Sequence, residues 1–168
     1  IHRTKLGLRP HDADELTHYS SATSHVEYLY PIGWSELEGI ANRGDFDLRQ
    51  HQEFSGEKLE YVDPQTKERY PPHVIEPAAG LGRTILALLC DAYDEDEQEG
   101  ERRTVLRLHP KVAPIKVAVL PLLRKEAHPE LAREVYESLG GRMSAEYDEG
   151  AAIGRRYRRQ DEIGTPFA

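Results

Sequence analysis

The chain has 168 residues, enough for one domain of ordinary size or for two small ones. Hydrophobic residues make up 38% of it and charged residues 31%, which allows a core under a soluble surface, and no apolar run approaches the ~20 residues that cross a bilayer. The net charge of −8, from 30 acidic and 22 basic residues, argues against a protein that coats nucleic acid without specificity. It does not exclude a local basic face that binds phosphate.

Cysteine and histidine usage argues against a metal or disulfide framework. The single cysteine, Cys90, excludes an internal disulfide and a zinc cluster, and it fits a reducing cytoplasm. The eight histidines are scattered along the chain without the paired spacing of a metal site. We therefore expect packing or surface roles for all of them.

The first part of the chain predicts a helix and then a strand. Asp12 and Asp14 precede Leu16, so residues 10–23 are predicted as a helix with acids in its first turn. Residues 26–30 are rich in β-branched and aromatic side chains and predict a strand. The periodicity of residues 34–43 fits a helix and a strand about equally.

The segment 74–89 is the most informative part of the chain. A polar stretch with a predicted hairpin turn at 63–67 leads into it, and a strand is predicted at 74–75. A turn with two glycines then lets a backbone approach a ligand closely, and Arg83 opens an apolar helix predicted over 84–93. Free N–H groups at a helix start suit an anion, and a guanidinium is a planar fork suited to phosphate. The segment therefore predicts a polyphosphate site.

The second half of the chain predicts alternating strands and helices. The acidic run 91–101 is predicted as a solvated connection between domains, and the second domain is expected to begin at Thr104. A βαβ crossover followed by a further helix and strand is then indicated by apolar runs, by proline at one helix start and by glycines after its end. The predicted strands lie at 115–120, 143–147 and 165–168, and the predicted helices at 129–139 and 153–163.

The last predicted helix carries a local cluster of positive charge. Its four arginines are Arg155, Arg156, Arg158 and Arg159. Neighbouring side chains lie ~100° apart around a helix, so some of the four face solvent, where nucleic-acid phosphates can bind. The alternative is that Asp161 and Glu162 pair with them within the chain.

Three blocks, in chain order, resemble class II aminoacyl-tRNA synthetases and, more narrowly, the homodimeric glycyl-tRNA synthetase. The octapeptide at 76–83, Glu-Pro-Ala-Ala-Gly-Leu-Gly-Arg, resembles the third class II motif, which reads Glu-Pro-Ser-Ala-Gly-x-x-Arg in the glycyl enzymes. Residues 33–48 resemble the catalytic-core strand of that family. Residues 109–121 and 153–167 resemble its anticodon-binding domain.

The resemblance implies a fold in two parts. Residues 1–103 would be the C-terminal part of an α+β class II catalytic core, an antiparallel sheet with helices. Residues 104–168 would be the N-terminal part of an α/β anticodon-binding domain. Within 34–43 the resemblance implies a strand, a turn and a helix that includes Ile40.

The resemblance also implies a function, a glycine–tRNA ligase that uses ATP and Mg²⁺ to form glycyl-adenylate and transfers glycine to tRNA(Gly). Its setting would be a cytoplasmic homodimer without membrane association. Two earlier class II motifs cannot be found here, so the 168 residues alone are expected not to aminoacylate tRNA. The alternative is a non-catalytic nucleic-acid-binding protein on the same scaffold, like the accessory subunits of mitochondrial DNA polymerase. Retention of Glu36, Glu76 and Arg83 favours the enzyme.

The matched motifs assign candidate residues. Arg83 is the catalytic candidate, which would grip the outer phosphates of ATP. The residues implied to bind ATP are Glu36, Leu37, Gly80, Leu81, Gly82 and Arg83. Those implied to bind glycine are Glu76, Pro77, Ala78, Ala79 and Gly80, with the Glu76 carboxylate pairing the ammonium group. The tail arginines would contact tRNA, and Glu36 would ligate Mg²⁺, with Glu38 as the alternative ligand. Ala78 replaces the family serine, and Gly82 stands where aspartate is frequent.

Overall fold

The computed structural model describes residues 1–98, 100–125 and 127–168. Its contacts divide the chain into two compact units, Ile1–Ala87 and Leu88–Ala168. The domain limits drawn from the sequence, 1–103 and 104–168, stay a prediction. No helix among the described residues is long and apolar enough to cross a membrane.

The first unit is built on a four-stranded antiparallel sheet. A 3₁₀ turn at Arg3–Lys5 comes first, followed by the strands β1 (Leu6–Pro10), β2 (Ala22–Tyr30) and β3 (Gly33–Gly44). The helix α1 (Phe46–Ser55) then leads to the short strands β4 (Tyr61–Val62) and β5 (Arg69–Tyr70). The last elements are β6 (Val74–Ala79) and α2 (Leu81–Ala92), and α2 continues past the end of this unit at Ala87. The spatial order is β1-β2-β3-β6. Tyr28 and Tyr30 of β2 are buried on one face of this sheet, where their rings pack edge to face with centroids 4.8 Å apart.

The prediction of a helix over residues 10–23 is wrong. Pro10 ends β1 opposite Ser24, and the His11 N–H donates to the Thr23 carbonyl at 2.9 Å, so the chain reverses here as a loop between strands. The acids that resemble a helix start make a turn instead, because the Glu15 N–H donates to the Asp12 carbonyl at 3.0 Å.

The expectation that Ile40 lies in a helix is also wrong. Ile40 lies in β3, opposite Ser24 of β2 and Pro77 of β6. Hydrogen bonding on both sides holds this segment extended to Gly44, whose φ of +56° turns the chain into α1.

Other local predictions for this unit are confirmed. The strand at 26–30 lies within β2, and the hairpin turn joins β4 to β5, with the Asp63 carboxylate accepting from the N–H groups of Gln65 and Thr66 at 2.7 and 2.8 Å. The apolar helix is α2, but it is not buried as expected. Ala87 is fully covered, while Ile85, Leu86 and Leu89 are between 42% and 50% exposed.

The second unit contains the predicted βαβ crossover. Its elements are β7 (Tyr93–Gln98), β8 (Glu101–Leu106), β9 (Val117–Val119), α3 (His128–Leu139), β10 (Ala145–Tyr147) and α4 (Ile153–Ile163). β9 and β10 are parallel, and a parallel bridge from Val117 to Phe167 confirms the start of a third strand.

The acidic run 91–101 is not a solvated connection. Residues 93–98 form β7, which pairs along its length with β8. Arg103 of β8 donates to Asp96 at 2.5 Å and to Asp161 of α4 at 2.5 Å, while Arg107 donates to Asp94 at 2.5 Å. The acids form a strand because the facing strand carries arginines that neutralise them.

Candidate active site

A bulge in β3 separates two acids that the sequence leaves equivalent. Glu36 lies opposite Glu27, whereas Glu38 lies opposite Val26, and Leu37 has no partner on β2. Directly opposed residues of antiparallel strands point to the same face, and consecutive residues point to opposite faces. Glu36 and Glu38 therefore lie on opposite faces of the sheet.

The register also identifies the other residues that share a face with Glu36. We call this the polar face, defined by Arg9, His25, Glu27, Trp34, Glu36, Glu76 and Ala78. The opposite face carries the buried Tyr28 and Tyr30 together with Glu38. The candidate ATP and glycine carboxylates, Glu36 and Glu76, thus project from the same side.

Arg83 reaches Glu36 from the start of α2. Its Nη1 lies 2.9 Å from the Glu36 Oε2 and donates to the Glu36 main-chain carbonyl at 3.2 Å. The Tyr30 hydroxyl donates to the Arg83 carbonyl at 3.2 Å and so ties this helix start to the sheet. The Arg83 side chain is 54% exposed, so the guanidinium keeps donors available to a ligand.

The small-residue turn between β6 and α2 lies beside Arg83. Neither Gly80 nor Gly82 has a positive φ. A Cβ added to Gly82 would meet no atom within 4 Å, and one added to Gly80 would make only ordinary contacts with the Arg83 side chain. Among the described residues, therefore, no packing constraint requires glycine at either position.

Glu76 is held by an arginine that the sequence reasoning did not assign to the site. Arg43, at the end of β3, bonds Glu76 through Nη1 and grips Asp47 with Nε at 2.5 Å and Nη2 at 3.0 Å. Its guanidinium carbon lies 4.2 Å from the centroid of the Tyr19 ring. The only sequence signal was the i,i+4 spacing of Arg43 and Asp47.

These contacts shift two pKa values. The hydrogen bonds that Arg43 donates to Asp47 and, as the second largest cause, to Glu76 raise the pKa of Arg43. The same Arg43 hydrogen bond lowers the pKa of Asp47, against the smaller opposing effect of desolvation. Arg43 is therefore a fixed positive charge beside the candidate glycine carboxylate.

The strand alternation divides the predicted glycine-binding segment. Glu76 and Ala78 point to the polar face, while Pro77 and Ala79 lie opposite Ile40 and Glu38 and point away from it. Pro77 and Ala79 can therefore contribute only main-chain groups to a site on the polar face.

Two acids on the polar face are possible ligands for a cation. Glu27 is directly opposite Glu36, and Arg9 Nε lies 3.3 Å from the Glu27 Oε1. No group of three or more His, Cys, Asp or Glu side chains among the described residues is arranged to hold a metal ion. The pair fits only a cation that takes most of its ligands from substrate and water, as Mg²⁺ does.

In the second unit the four tail arginines have different environments. Arg155 is exposed and makes no side-chain bond among the described residues, and it lines a groove of about 630 Å³ with Gln98, Tyr157 and Arg158. Arg158 pairs with Glu101 at 3.0 Å and with Glu162 at 3.4 Å. The predicted pairing with Glu162 is confirmed.

The remaining two arginines are engaged within the unit. Arg156 is 2% exposed and donates to the Pro121 carbonyl at 2.5 Å, so the expectation that it contacts tRNA phosphate is corrected. Arg159 binds Asp148 and the Gly150 carbonyl. Asp161, expected to pair with the tail arginines, pairs with Arg103 instead.

Comparison with solved structures identifies the class of fold. The chain resembles the prolyl-tRNA synthetase of Giardia lamblia, solved in complex with prolyl-adenylate, with a TM-score of 0.64 over 96% of this chain and 32% of that one. At 17% identity the likeness shows the fold alone. The fold, α+β with antiparallel sheets and one parallel strand pair, is shared with that class II aminoacyl-tRNA synthetase, as the sequence predicted in outline.

Comparison of sequences points to a narrower group of proteins than comparison of structures does. A family model described as "Anticodon binding domain" matches residues 116–168. The chain is 58% identical over 167 residues to the glycine–tRNA ligase of Caldanaerobacter subterraneus subsp. tengcongensis, and 55% identical over 168 residues to that of Acetivibrio thermocellus. In each case 99% of this chain aligns with 36% of the relative.

The glycine–tRNA ligase of Staphylococcus aureus strain JH9 is 54% identical over 164 residues, 96% of this chain and 35% of that protein. Over nearly its whole length the chain thus matches glycyl-tRNA synthetases, and it spans about a third of the length of the curated relatives it matches. The resemblance inferred from the three sequence blocks is confirmed.

Proposed function

We propose that this chain is part of an ATP-dependent glycine–tRNA ligase, and that its polar face is the part of the active site it contributes. In the first step the glycine carboxylate attacks the α-phosphate of ATP, and pyrophosphate leaves as glycyl-adenylate forms. In the second step a terminal ribose hydroxyl of tRNA takes the glycyl group, and AMP leaves. The observation that carries the proposal is that Glu36 and Glu76 project from the same face of the sheet and that Arg83 pairs with Glu36.

Arg83 is proposed to hold the outer phosphates of ATP. Chemistry of this kind depends on positioning and on neutralising charge more than on covalent help from the protein. The guanidinium stands at a helix start beside a turn of small residues, and packing does not explain the two glycines of that turn. Close approach of a polyphosphate does explain them.

Glu36 is proposed to bind Mg²⁺ together with Glu27. Mg²⁺ commonly uses one or two protein carboxylates and takes its other ligands from phosphates and water. When bound, the ion neutralises phosphate charge. Glu38 is not part of this proposal, since it lies on the opposite face of the sheet.

Glu76 is proposed to bind the ammonium group of glycine, with Arg43 fixing its orientation. The side chain is 42% exposed, so an oxygen stays open to substrate while Arg43 holds the carboxylate. Ala78 lies two residues along on the same face and opposite Gly39, so glycine selection here depends on space and not on a hydroxyl.

The second unit is proposed to bind tRNA(Gly) through the groove that Arg155 lines. Arg155 is the tail arginine with no partner among the described residues, and Tyr157 beside it offers a ring for stacking on a base. The homodimer and the cytoplasmic location expected from the family belong to the same proposal.

Glycine-dependent ATP–pyrophosphate exchange in the full-length protein tests this proposal, and the two faces of β3 supply a matched pair of variants. Glu36→Gln should slow exchange by roughly 30- to 1000-fold, because it removes a carboxylate from the proposed ATP site. Glu38→Gln, two residues away on the other face, should leave exchange within about threefold of the parent. Absence of glycine-dependent exchange in the parent, together with retained nucleic-acid binding, would establish the non-catalytic alternative.

A further inference from the structure

The loop at 148–152, between β10 and α4, is held by two ion pairs. Arg133 of α3 pairs with Glu149 at 3.3 Å, and Arg159 of α4 pairs with Asp148, which joins the loop to α4. The Asp148 Oδ1 accepts from the Gly150 N–H at 2.7 Å, and Arg159 Nη2 donates to the Gly150 carbonyl at 2.9 Å. Arg159 also binds the Asp148 carboxylate, through Nε at 3.1 Å and through Nη2. Both backbone groups of Gly150 are therefore satisfied by one acid and one arginine.

The same loop contains an unfavourable backbone conformation. Ala151 has φ +62°, a left-handed conformation that side-chain-bearing residues rarely adopt. A Cβ at Gly150 would come within 3.1 Å of the Asp148 Oδ1, so the loop packs closely against the ion pair. A strained conformation persists only when its surroundings hold it, and here the Asp148–Arg159 pair contributes together with the Arg133–Glu149 pair.

The Asp148 carboxylate and the Arg159 guanidinium form an ion pair with each other. Desolvation acts most strongly on the Asp148 carboxyl and would raise its pKa, but the Arg159 hydrogen bond and the Gly150 N–H outweigh it and the pKa is lowered. The Asp148 side chain is only 15% exposed. Arg159, whose own side chain is 45% exposed, thus directs its guanidinium at an ionised and largely covered carboxylate.

The loop leads directly into the first turn of α4, which carries Arg155. The N–H groups of Arg155 and Arg156 donate to the Ala152 carbonyl at 3.1 and 3.3 Å, immediately after the strained residue. We propose that Arg159 is a positioning residue, which with Asp148 locks the loop at 148–152 and thereby places Arg155 toward tRNA, without contacting a phosphate itself. This inference rests on the proposed tRNA-binding role of the second unit.

The experiment compares four variants of the full-length protein: Arg159→Gln, Asp148→Asn, the double variant, and Arg155→Gln. The affinity for tRNA(Gly) is measured by titration across a range of salt concentrations, and ATP–pyrophosphate exchange reports that the catalytic part is intact. Each single change at the pair should weaken tRNA binding by roughly 5- to 30-fold. The double variant should be no weaker than the worse single variant, because both changes release the same loop.

Salt dependence separates positioning from direct contact. The loss of one phosphate contact reduces the slope of log affinity against log salt by about 0.7 to 0.9. If Arg159 positions Arg155, Arg159→Gln and Asp148→Asn should both weaken binding and reduce the slope no more than Arg155→Gln does, because the same Arg155 contact is lost in all three. If Arg159 itself contacts phosphate, Asp148→Asn instead leaves affinity unchanged or improves it by freeing the arginine, and that result overturns the proposal.

Arg159→Lys keeps the charge and guards against a folding failure of the neutral variant. An ammonium cannot bind the carboxylate and the Gly150 carbonyl with the same planar fork, so we expect weakened tRNA binding. Parent-like affinity in this variant would contradict positioning. If Arg155→Gln weakens binding but the Arg159 variants do not, only the positioning role is wrong. If Arg155→Gln also has no effect, the proposed tRNA surface is wrong and the positioning role falls with it.

Discussion

Arg83, at the start of α2, forms an ion pair with Glu36, which lies beside the bulge of β3. The Arg83 Nη1 is 2.9 Å from the Glu36 Oε2 and 3.2 Å from the Glu36 main-chain oxygen. Both side chains are more than a third exposed, and exposed ion pairs of this kind contribute only about 0–1 kcal/mol. A phosphate group and a cation can therefore replace this pair at little cost. In the proposed function, this pairing holds the two side chains together before ATP binds.

Arg83→Lys should fail to preserve adenylate formation. An ammonium cannot reproduce the planar, multidentate geometry of the guanidinium, and loss of one such contact should cost about 2–4 kcal/mol of transition-state stabilisation, roughly 30- to 1000-fold in rate. ATP–pyrophosphate exchange measures this loss. Transfer of glycine from preformed adenylate should change much less, because the outer phosphates have already left. Equal damage to both steps with a lowered melting temperature would indicate a structural arginine.

Arg43→Gln should affect glycine more than ATP. Without Arg43 the Glu76 carboxylate loses the partner that orients it, and we expect kcat/KM for glycine to fall by roughly 5- to 30-fold, while KM for ATP changes by less than about threefold. Arg49→Gln is the matched control, since Arg49 makes an exposed i,i+4 pair with Asp45 on the neighbouring helix. Parallel losses for ATP and glycine would contradict an orienting role for Arg43.

The β7–β8 hairpin should make stability depend on pH through Asp96. The Arg103 hydrogen bond lowers the pKa of Asp96 below its ordinary value of 3.8, despite opposing desolvation. A carboxyl with a lowered folded-state pKa stabilises the fold above about pH 4, and this contribution disappears as pH falls through the lowered value. The melting temperature of Asp96→Asn should therefore lie below that of the parent at pH 7 and approach it at pH 3.

The neighbouring Glu97→Gln is the control for this titration, because Glu97 is exposed and makes no ion pair among the described residues. Its melting temperature should follow that of the parent across the pH range. Parallel curves for Asp96→Asn and the parent would show that the Arg103–Asp96 pair does not contribute to acid stability.

The sequence by itself determined the parts of this protein whose signals are local. Residues 153–163 were predicted as a helix at the bounds of α4, and the proline and glycines around residues 129–141 marked α3. The motif at 76–83 indicated the family because its acid, glycines and arginine lie within eight residues of one another. Each of these features depends on neighbours within a few positions.

Tertiary structure decided the features that depend on distant partners. The separation of Glu36 and Glu38 onto opposite faces required the bulge opposite β2, and the contact of Arg43 with Glu76 required β6, 33 residues further along. Residues of the acidic run form a strand because their charges pair with arginines of the facing strand β8. Arg156 is buried because its guanidinium donates to the Pro121 carbonyl, 35 residues earlier in the chain. Strand pairing and charge burial arise between segments far apart in sequence, so residue types and spacing alone do not encode which face or partner a side chain receives.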